Sequence, residues 1–257
     1  MYSKRKGADH MNYLVTGATG GFGNHALDFL KKSISTSEIF ALVRSETKAE
    51  ALKRAGIHVR IGDYGDKEAM ERVFEGIDRV LFVSGAPGNR QKEHANVVEA
   101  AIKAGVSYIA YTSFAEADKA TSPLAEDHLF TERLIEKAGI SHTFLRNNWY
   151  LENELPLVEA AMNSGKFVYA AGNGKTGWAM KREYAEVAAK ALLGADYPAI
   201  LELSGKPVNY NTLANALKKA TGKEFEVISS DDSGFINHLV ANGMPQSVAE
   251  LFLSFQY

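Results

Sequence analysis

The sequence predicts an α/β protein with a doubly wound parallel sheet and a small α+β annex at its C-terminal end. Short apolar runs alternate with amphipathic helical patterns through the first 150 residues, which is the period of such a sheet. A glycine-rich turn joins the first apolar run to the first helical pattern, and the alternation breaks down after Tyr150. We therefore expect a flexible leader at 1–11, a nucleotide-binding domain at 12–150 and the annex at 151–257.

The glycine-rich turn has the spacing Gly17-x-x-Gly20-x-x-Gly23 and follows the apolar run 13–15. Gly17 permits a sharp turn out of the strand, Gly20 lets backbone approach a pyrophosphate, and Gly23 lets the next helix pack closely on the sheet. The helix N-terminus then faces the phosphates. The turn predicts dinucleotide binding, although a tight turn that binds nothing is the alternative. The candidate cofactor-binding residues here are Gly17, Ala18, Thr19, Gly20, Gly21, Phe22 and Gly23.

The residue that follows the second apolar run, 38–43, indicates which dinucleotide is bound. Arg44 lies 21 residues after Gly23, where an Asp or Glu would hold the ribose 2′-hydroxyl of NAD. Arginine is instead a fixed cation whose planar fork suits a 2′-phosphate, and Lys48 adds charge one turn later. NADP(H) is therefore the preferred cofactor, with NAD(H) as a substitute. The alternative is an ordinary solvated arginine at a strand end.

Composition excludes several classes of protein. The 257 residues carry a formal net charge of −2 without a basic face, which argues against nucleic-acid binding. The absence of cysteine excludes disulfides and thiol chemistry and is compatible with the cytoplasm. No apolar run approaches the roughly 18 residues of a membrane span, and the polar, basic leader lacks the apolar core of a signal peptide. We expect a cytoplasmic monomer or homodimer with no membrane partner.

Ligands of doubly wound sheets lie beyond the carboxyl ends of the strands. We predict further strands at 57–61, 79–83, 108–112 and 142–145, with helices at 67–74, 91–104 and 123–138. The residues after these strands are further candidates for cofactor binding: Asp63, Ser84, Gly85, Ala86, Thr112, Ser113, Arg146, Asn147, Asn148 and Trp149. Asp63 could accept a hydrogen bond from the adenine amino group or simply cap a helix.

In the annex we predict helices at 151–164, 182–193 and 211–221, and strands within 165–174, 199–203 and 224–228. These segments are expected to form a lid over the nicotinamide end of the cleft. The sequence ends in the apolar pattern 251–257 without a cap or polar tail, which favours a C-terminal truncation of the annex.

Several motifs resemble one family when they are taken together and in order. They are Thr16-Gly-Ala-Thr-Gly20, Ala41-Leu-Val-Arg44, Gly62-Asp-Tyr64, Ile109-Ala-Tyr-Thr-Ser113 and Phe144-Leu-Arg-Asn-Asn-Trp-Tyr150. The chain resembles the NmrA-like, atypical short-chain dehydrogenases, and among them the bacterial quinone oxidoreductases and triphenylmethane-dye reductases. The resemblance implies a Rossmann-type domain, NADPH binding and hydride delivery to a quinone or similar electron-poor acceptor. A non-enzymatic NADP(H) sensor of the same family is the alternative function.

The chain lacks the Tyr-x-x-x-Lys pair with which ordinary short-chain dehydrogenases exchange a proton, because its one occurrence, Tyr2/Lys6, precedes the predicted fold. This disfavours alcohol oxidation and epimerisation. His128 and Glu132 share a helix face and could relay a proton or orient the helix. With no third ligand apparent nearby, we predict no metal site.

Aromatic residues at the strand ends could line a pocket for a flat acceptor, or pack the annex onto the core. The candidate catalytic residues are Tyr111, His128 and Tyr150.

Overall fold

The computed structural model describes residues 10–194 and 196–256. Most of the predicted leader, including the Tyr2/Lys6 pair, lies outside the described residues, as does Tyr257. The strands are β1 (Tyr13–Val15), β2 (Ile39–Val43), β3 (His58–Ile61), β4 (Arg79–Phe82), β5 (Tyr108–Phe114), β6 (Ser141–Asn147), β7 (Lys166–Tyr169), β8 (Lys175–Thr176), β9 (Ile200–Leu203), β10 (Val208–Asn209) and β11 (Glu226–Ser229). The α-helices are α1 (Gly21–Leu30), α2 (Glu46–Arg54), α3 (Lys67–Phe74), α4 (Arg90–Ala104), α5 (Pro123–Ala138), α6 (Leu155–Ser164), α7 (Lys181–Leu193), α8 (Tyr210–Thr221), α9 (Asp232–Ala241) and α10 (Gln246–Leu253).

A seven-stranded parallel sheet forms the centre of the fold, in the order β3-β2-β1-β4-β5-β6-β9. Val15 in β1 aligns with Ala41 in β2 and with Leu81 in β4. All three side chains are fully buried, as expected for parallel strands covered by helices on both faces. The strand order reverses direction at β1 and β4, which confirms the predicted Rossmann-type doubly wound sheet.

Helix caps fix the helices that flank the sheet. The structure has α3 and α5 at their predicted bounds. Asp66 and Ser122 cap their N-termini by accepting hydrogen bonds from backbone N–H groups. Two strands run further than predicted, β5 to Phe114 and β6 to Asn147, whereas β3 and β4 are each one residue shorter than predicted.

The chain divides into two compact units. The first contains the described residues up to Asn147 together with Lys181–Leu203, and the second contains Asn148–Met180 and the described residues from Ser204 onwards. The predicted annex at 151–257 included α7 and β9, whereas the structure places both in the first unit. The reason is tertiary: β9 pairs in parallel with β6, and α7 packs against α1.

The second unit has a small core of its own. Within it, β7 pairs in parallel with β11, and β8 pairs in antiparallel with β10. Phe167 and Phe235 are fully buried among the residues of its helices and strands. The one-turn 3₁₀ helix Leu151–Glu154 precedes α6, where a single continuous helix was predicted. In the parts of the chain that the structure describes, every helix is too short or too polar to cross a membrane.

Candidate functional site

The glycine turn forms an open cradle at the N-terminus of α1. Gly17 adopts a positive φ of 59°, and its carbonyl oxygen accepts a hydrogen bond from the backbone N–H of Gly20 (3.0 Å). A Cβ on Gly23 would lie 2.8 Å from the carbonyl carbon of Gly17 and closer still to its oxygen, so only glycine fits there. The first turn of α1 carries no acidic residue. Its positive dipole end therefore suits an anion such as a pyrophosphate.

A cleft of about 390 Å³ extends from this cradle along the carboxyl ends of the strands. Predicted cofactor-binding residues that line it are Gly17, Thr19, Gly20, Arg44, Asp63, Ser84, Gly85 and Ala86. Residues that sequence reasoning missed also line it: Leu42, Val43, Gly62, Tyr64, Val83, Pro87, Asn89 and Glu93. Ala18 and Phe22 are buried beside the turn. Most of the missed residues lie near predicted strand ends, whereas Asn89 is the N-cap of α4 and Glu93 lies in its first turn.

Arg44 supplies an unpaired positive charge to the cleft. It is exposed, and no described residue forms an ion pair or a side-chain hydrogen bond with its guanidinium. Lys48 is also exposed, one turn along α2. A fixed cation without a protein partner is free to bind a phosphate.

Tyr64 braces the two strand-end loops that border the cleft. Its hydroxyl donates to Thr16 Oγ1 (2.5 Å) or to the carbonyl oxygen of Val83 (2.8 Å). Burial raises the pKa of Tyr64 above its ordinary value, so the hydroxyl keeps its proton.

Two side chains of α4 fix the loop after β4. The ring nitrogen Nε2 of His94 accepts a hydrogen bond from the backbone N–H of Gly85 (3.0 Å), and Arg90 Nε donates to the carbonyl oxygen of Gly85 (3.0 Å). Burial, helped by the charge of Arg90, lowers the pKa of His94 to about 3. His94 is therefore neutral at pH 7 and donates from Nδ1 to Thr131 Oγ1 (2.7 Å).

The predicted catalytic residues Tyr111 and His128 belong to the same buried network. Arg90 Nη1 lies 3.2 Å from His128 Nε2, and because a guanidinium can only donate, Nε2 must be an acceptor. His128 Nδ1 then donates to the Tyr111 hydroxyl (2.9 Å). Burial lowers the pKa of His128 to about 3 and raises that of Tyr111. Tyr111 is 0% exposed, so its hydroxyl faces the protein interior.

Three predicted cofactor-binding side chains have protein partners instead. Arg146 forms a bidentate ion pair with Glu132 (3.0 and 2.8 Å), which also accepts from the Ser113 hydroxyl (2.5 Å). Thr112 Oγ1 accepts from the backbone N–H of Ser84 (2.8 Å). The hydrogen bond to Glu132 raises the pKa of Arg146 further. His128 and Glu132 were considered above as a proton relay. In the structure they bind different partners: His128 binds Arg90 and Tyr111, and Glu132 binds Ser113 and Arg146.

The remaining predicted residues lie at the end of β6 and beyond it. Asn147 is buried in the first unit. Asn148, Trp149 and Tyr150 belong to the second unit, where Asn148 Oδ1 accepts from the backbone N–H of Trp149 (2.6 Å). Tyr150 is partly exposed and forms a parallel backbone bridge with Ala179.

A buried carboxyl group organises the aromatic residues of the second unit. Glu154 is 2% exposed, and its Oε1 accepts from Trp178 Nε1 and from the Tyr210 hydroxyl, both at 2.9 Å. Burial raises the pKa of Glu154 above its ordinary value. Gln256 donates to the same tyrosine hydroxyl (2.8 Å). No group of three or more potential metal ligands occurs among the described residues of either unit.

Comparison with known proteins identifies a family and several relatives that match almost the whole chain. A model of the NmrA-like family matches residues 11–256. Quinone oxidoreductase 2 of Escherichia coli is 38% identical over 240 residues, which cover 92% of this chain and 84% of that protein. The crystal structure of an NADPH-dependent quinone oxidoreductase from Escherichia coli complexed with NADPH matches with a TM-score of 0.89 and 37% identity, covering 95% of this chain and 87% of that chain. The structure of Citrobacter sp. triphenylmethane reductase complexed with NADP(H) matches with a TM-score of 0.90 and 34% identity, covering 96% and 88%.

Proposed function

The chain belongs to the NmrA-like family, and we propose that it is an NADP(H)-dependent reductase that transfers hydride to a quinone or a similar electron-poor aromatic acceptor. Oxidoreductase activity with NAD(P)H follows from relatives that share more than a third of their residues with almost the whole chain. The quinone oxidoreductase and the triphenylmethane reductase among those relatives support an electron-poor aromatic acceptor.

The geometry of the cleft in the first unit supports NADP(H) binding independently of the relatives. The Gly23 position leaves no room for a Cβ, and the positive dipole end of α1 carries no acidic residue that would repel phosphates. Arg44 holds an uncompensated positive charge at the end of β2, where the ribose of a dinucleotide lies. This unpaired Arg44 beside the cradle is the observation that carries the preference for NADP(H).

NADPH, when bound, supplies the hydride. The residues of the chain hold the cofactor and acceptor in position and exclude water. His94 and His128 are neutral at pH 7 because burial lowers the pKa of each to about 3, so neither stores a proton for the acceptor. A quinone requires no protein acid, since hydride addition gives a delocalised hydroquinone anion that water can protonate. We propose that Tyr111 and His128 are positioning residues. Tyr150 is the partly exposed residue among the three catalytic candidates.

Turnover assays with a panel of quinones test this function. We expect the purified chain to oxidise NADPH only when an acceptor is added, faster than it oxidises NADH. The same assays with Gly23→Ala, whose Cβ collides with the backbone of Gly17, should show little turnover. If NADPH binds calorimetrically but no quinone or triphenylmethane dye is reduced, the sensor alternative replaces this proposal. The cytoplasmic location and the oligomeric state stay predictions from the sequence.

A further inference from the structure

We propose that Glu93 selects the adenine base of the cofactor by accepting a hydrogen bond from its 6-amino group. The proposal rests on the NADP(H) binding inferred above and assigns a further specificity residue to that cleft. Glu93 lies in the first turn of α4 and lines the cleft together with Arg44 and Asp63.

The carboxylate of Glu93 is placed against the base-binding end of the cleft. A Cβ on Gly85 would lie 3.4 Å from Glu93 Oε2 and 3.6 Å from Tyr64 Cδ2, so the carboxylate and the tyrosine ring border the same loop. The charge of Glu93 also raises the pKa of the Tyr64 hydroxyl, after the larger effect of burial.

The order of groups along the cleft assigns this end to the base. The glycine cradle takes the pyrophosphate, and Arg44 marks the adenosine ribose. Asp63 follows β3, which lies beyond β2 in the sheet, and Gly85 and Glu93 line the same cleft. A base bound there meets two carboxylates, which accept hydrogen bonds and repel a carbonyl oxygen.

The polar groups next to Glu93 already have hydrogen-bond partners, whereas both carboxylate oxygens of Glu93 are available to a ligand. Asp63 Oδ1 already accepts from the backbone N–H of Gly65 (2.9 Å). The N–H and carbonyl oxygen of Gly85 are both engaged, by His94 and Arg90. No described residue donates a hydrogen bond to the half-buried carboxylate of Glu93. A half-buried acceptor without a protein donor gains most from a ligand donor.

The test compares NADPH with reduced nicotinamide hypoxanthine dinucleotide phosphate, in which a carbonyl oxygen replaces the 6-amino group. Calorimetry should give wild type a preference for NADPH of roughly ten- to a hundredfold. In Glu93→Gln the side-chain amide can donate to the carbonyl, so the preference should fall to about threefold or less. Glu93→Ala removes both the acceptor and the repulsion, so it should weaken NADPH binding, leave the hypoxanthine cofactor bound at least as tightly as in wild type, and narrow the preference.

Glu99→Gln, an exposed carboxylate on the same helix, is the matched control and should keep the wild-type preference. Circular dichroism and thermal melting of each variant report folding independently of binding. An unchanged base preference in folded Glu93→Gln that still binds NADPH overturns the role of Glu93 alone. Failure of wild type to bind NADPH overturns the proposed function together with it.

Discussion

The Nε2 atom of His94 lies 3.0 Å from the backbone nitrogen of Gly85 and accepts its hydrogen bond at the wall of the cleft. Only a neutral imidazole can accept there, because protonation would set two donors against each other. The shape of this loop and the charge state of a buried histidine are therefore coupled.

Acid should destabilise the fold through this histidine. The pKa of His94 is lowered from 6.5 to about 3 by burial, so below pH 6.5 the unfolded chain takes up a proton that the folded chain does not. The free energy of unfolding should fall by about 2 kcal/mol for this group between pH 6.5 and pH 5. Denaturant unfolding at both pH values should show a shallower fall for His94→Gln than for wild type. Val97→Ala, a buried change on the same helix, should keep the wild-type pH dependence. Parallel curves for wild type and His94→Gln would contradict the assignment.

Two alanine substitutions in the glycine turn should have very different effects on NADPH affinity. In Gly23→Ala the new Cβ meets the backbone of Gly17, which must shift at a cost of about 1–3 kcal/mol. In Gly21→Ala the nearest atom is Lys181 Cδ at 3.6 Å, an ordinary contact. Calorimetry should show NADPH affinity largely lost in the first variant and within about threefold of wild type in the second. Similar losses in both would mean that the turn does not form the cradle.

Arg44→Ala should change cofactor choice. Removing a charge-assisted hydrogen bond to the 2′-phosphate should weaken NADPH binding roughly ten- to a hundredfold, with little effect on NADH. Lys48→Ala should have a smaller effect, because Lys48 does not line the cleft. Dissociation constants for both cofactors check this, and equal weakening of NADPH and NADH would rule out the phosphate contact.

Loss of the buried hydroxyl of Tyr111 should slow quinone reduction only modestly. Because Tyr111 is 0% exposed and its hydroxyl binds His128, we expect Tyr111→Phe and His128→Ala to retain more than about a hundredth of the wild-type kcat. Tyr150→Phe provides a partly exposed comparison. The measurement is kcat at saturating NADPH beside the NADPH dissociation constant. A larger loss in any one variant at unchanged affinity would identify a proton donor.

Glu154 should make the chain less stable as pH rises. Burial raises the pKa of Glu154 above 4.5, so the folded chain holds a proton that the unfolded chain releases first. Glu154→Gln keeps the carbonyl oxygen that Trp178 and Tyr210 bind. Unfolding at pH 5 and pH 8 should therefore show the variant gaining stability relative to wild type at the higher pH. No relative gain would mean that Glu154 is ionised throughout this range.

Local patterns predicted most of the sheet and the turn that begins the site. Buried parallel strands are continuous apolar runs, and Asp66 and Ser122 mark where their helices begin. Arg44 could be assigned to the cleft because a strand end fixes its place. Ser113 and Arg146 also follow from strand positions, but their side chains are bound by Glu132, and no sequence spacing reveals that pairing.

Local sequence patterns could not predict contacts between residues that are distant in sequence. Glu93 reaches the cleft from the helix predicted at 91–104, and no strand end marks it. The pairing of β9 with β6 joins segments separated by residues 148–199, of which 148–180 belong to the second unit. When elements are grouped by their order along the chain, such a strand is placed with its sequence neighbours, here the annex.

The return of the chain to the first unit has a consequence for synthesis. The ribosome makes β6 before it makes β9, so Phe144 and Leu145 have no neighbour on that side until Ile200 and Leu201 emerge. Until then the growing chain displays an open sheet edge, the feature through which nascent proteins most readily join one another. This edge is covered only once residues 200–203 have been made, and a fragment that ends at Asn147 would keep it exposed.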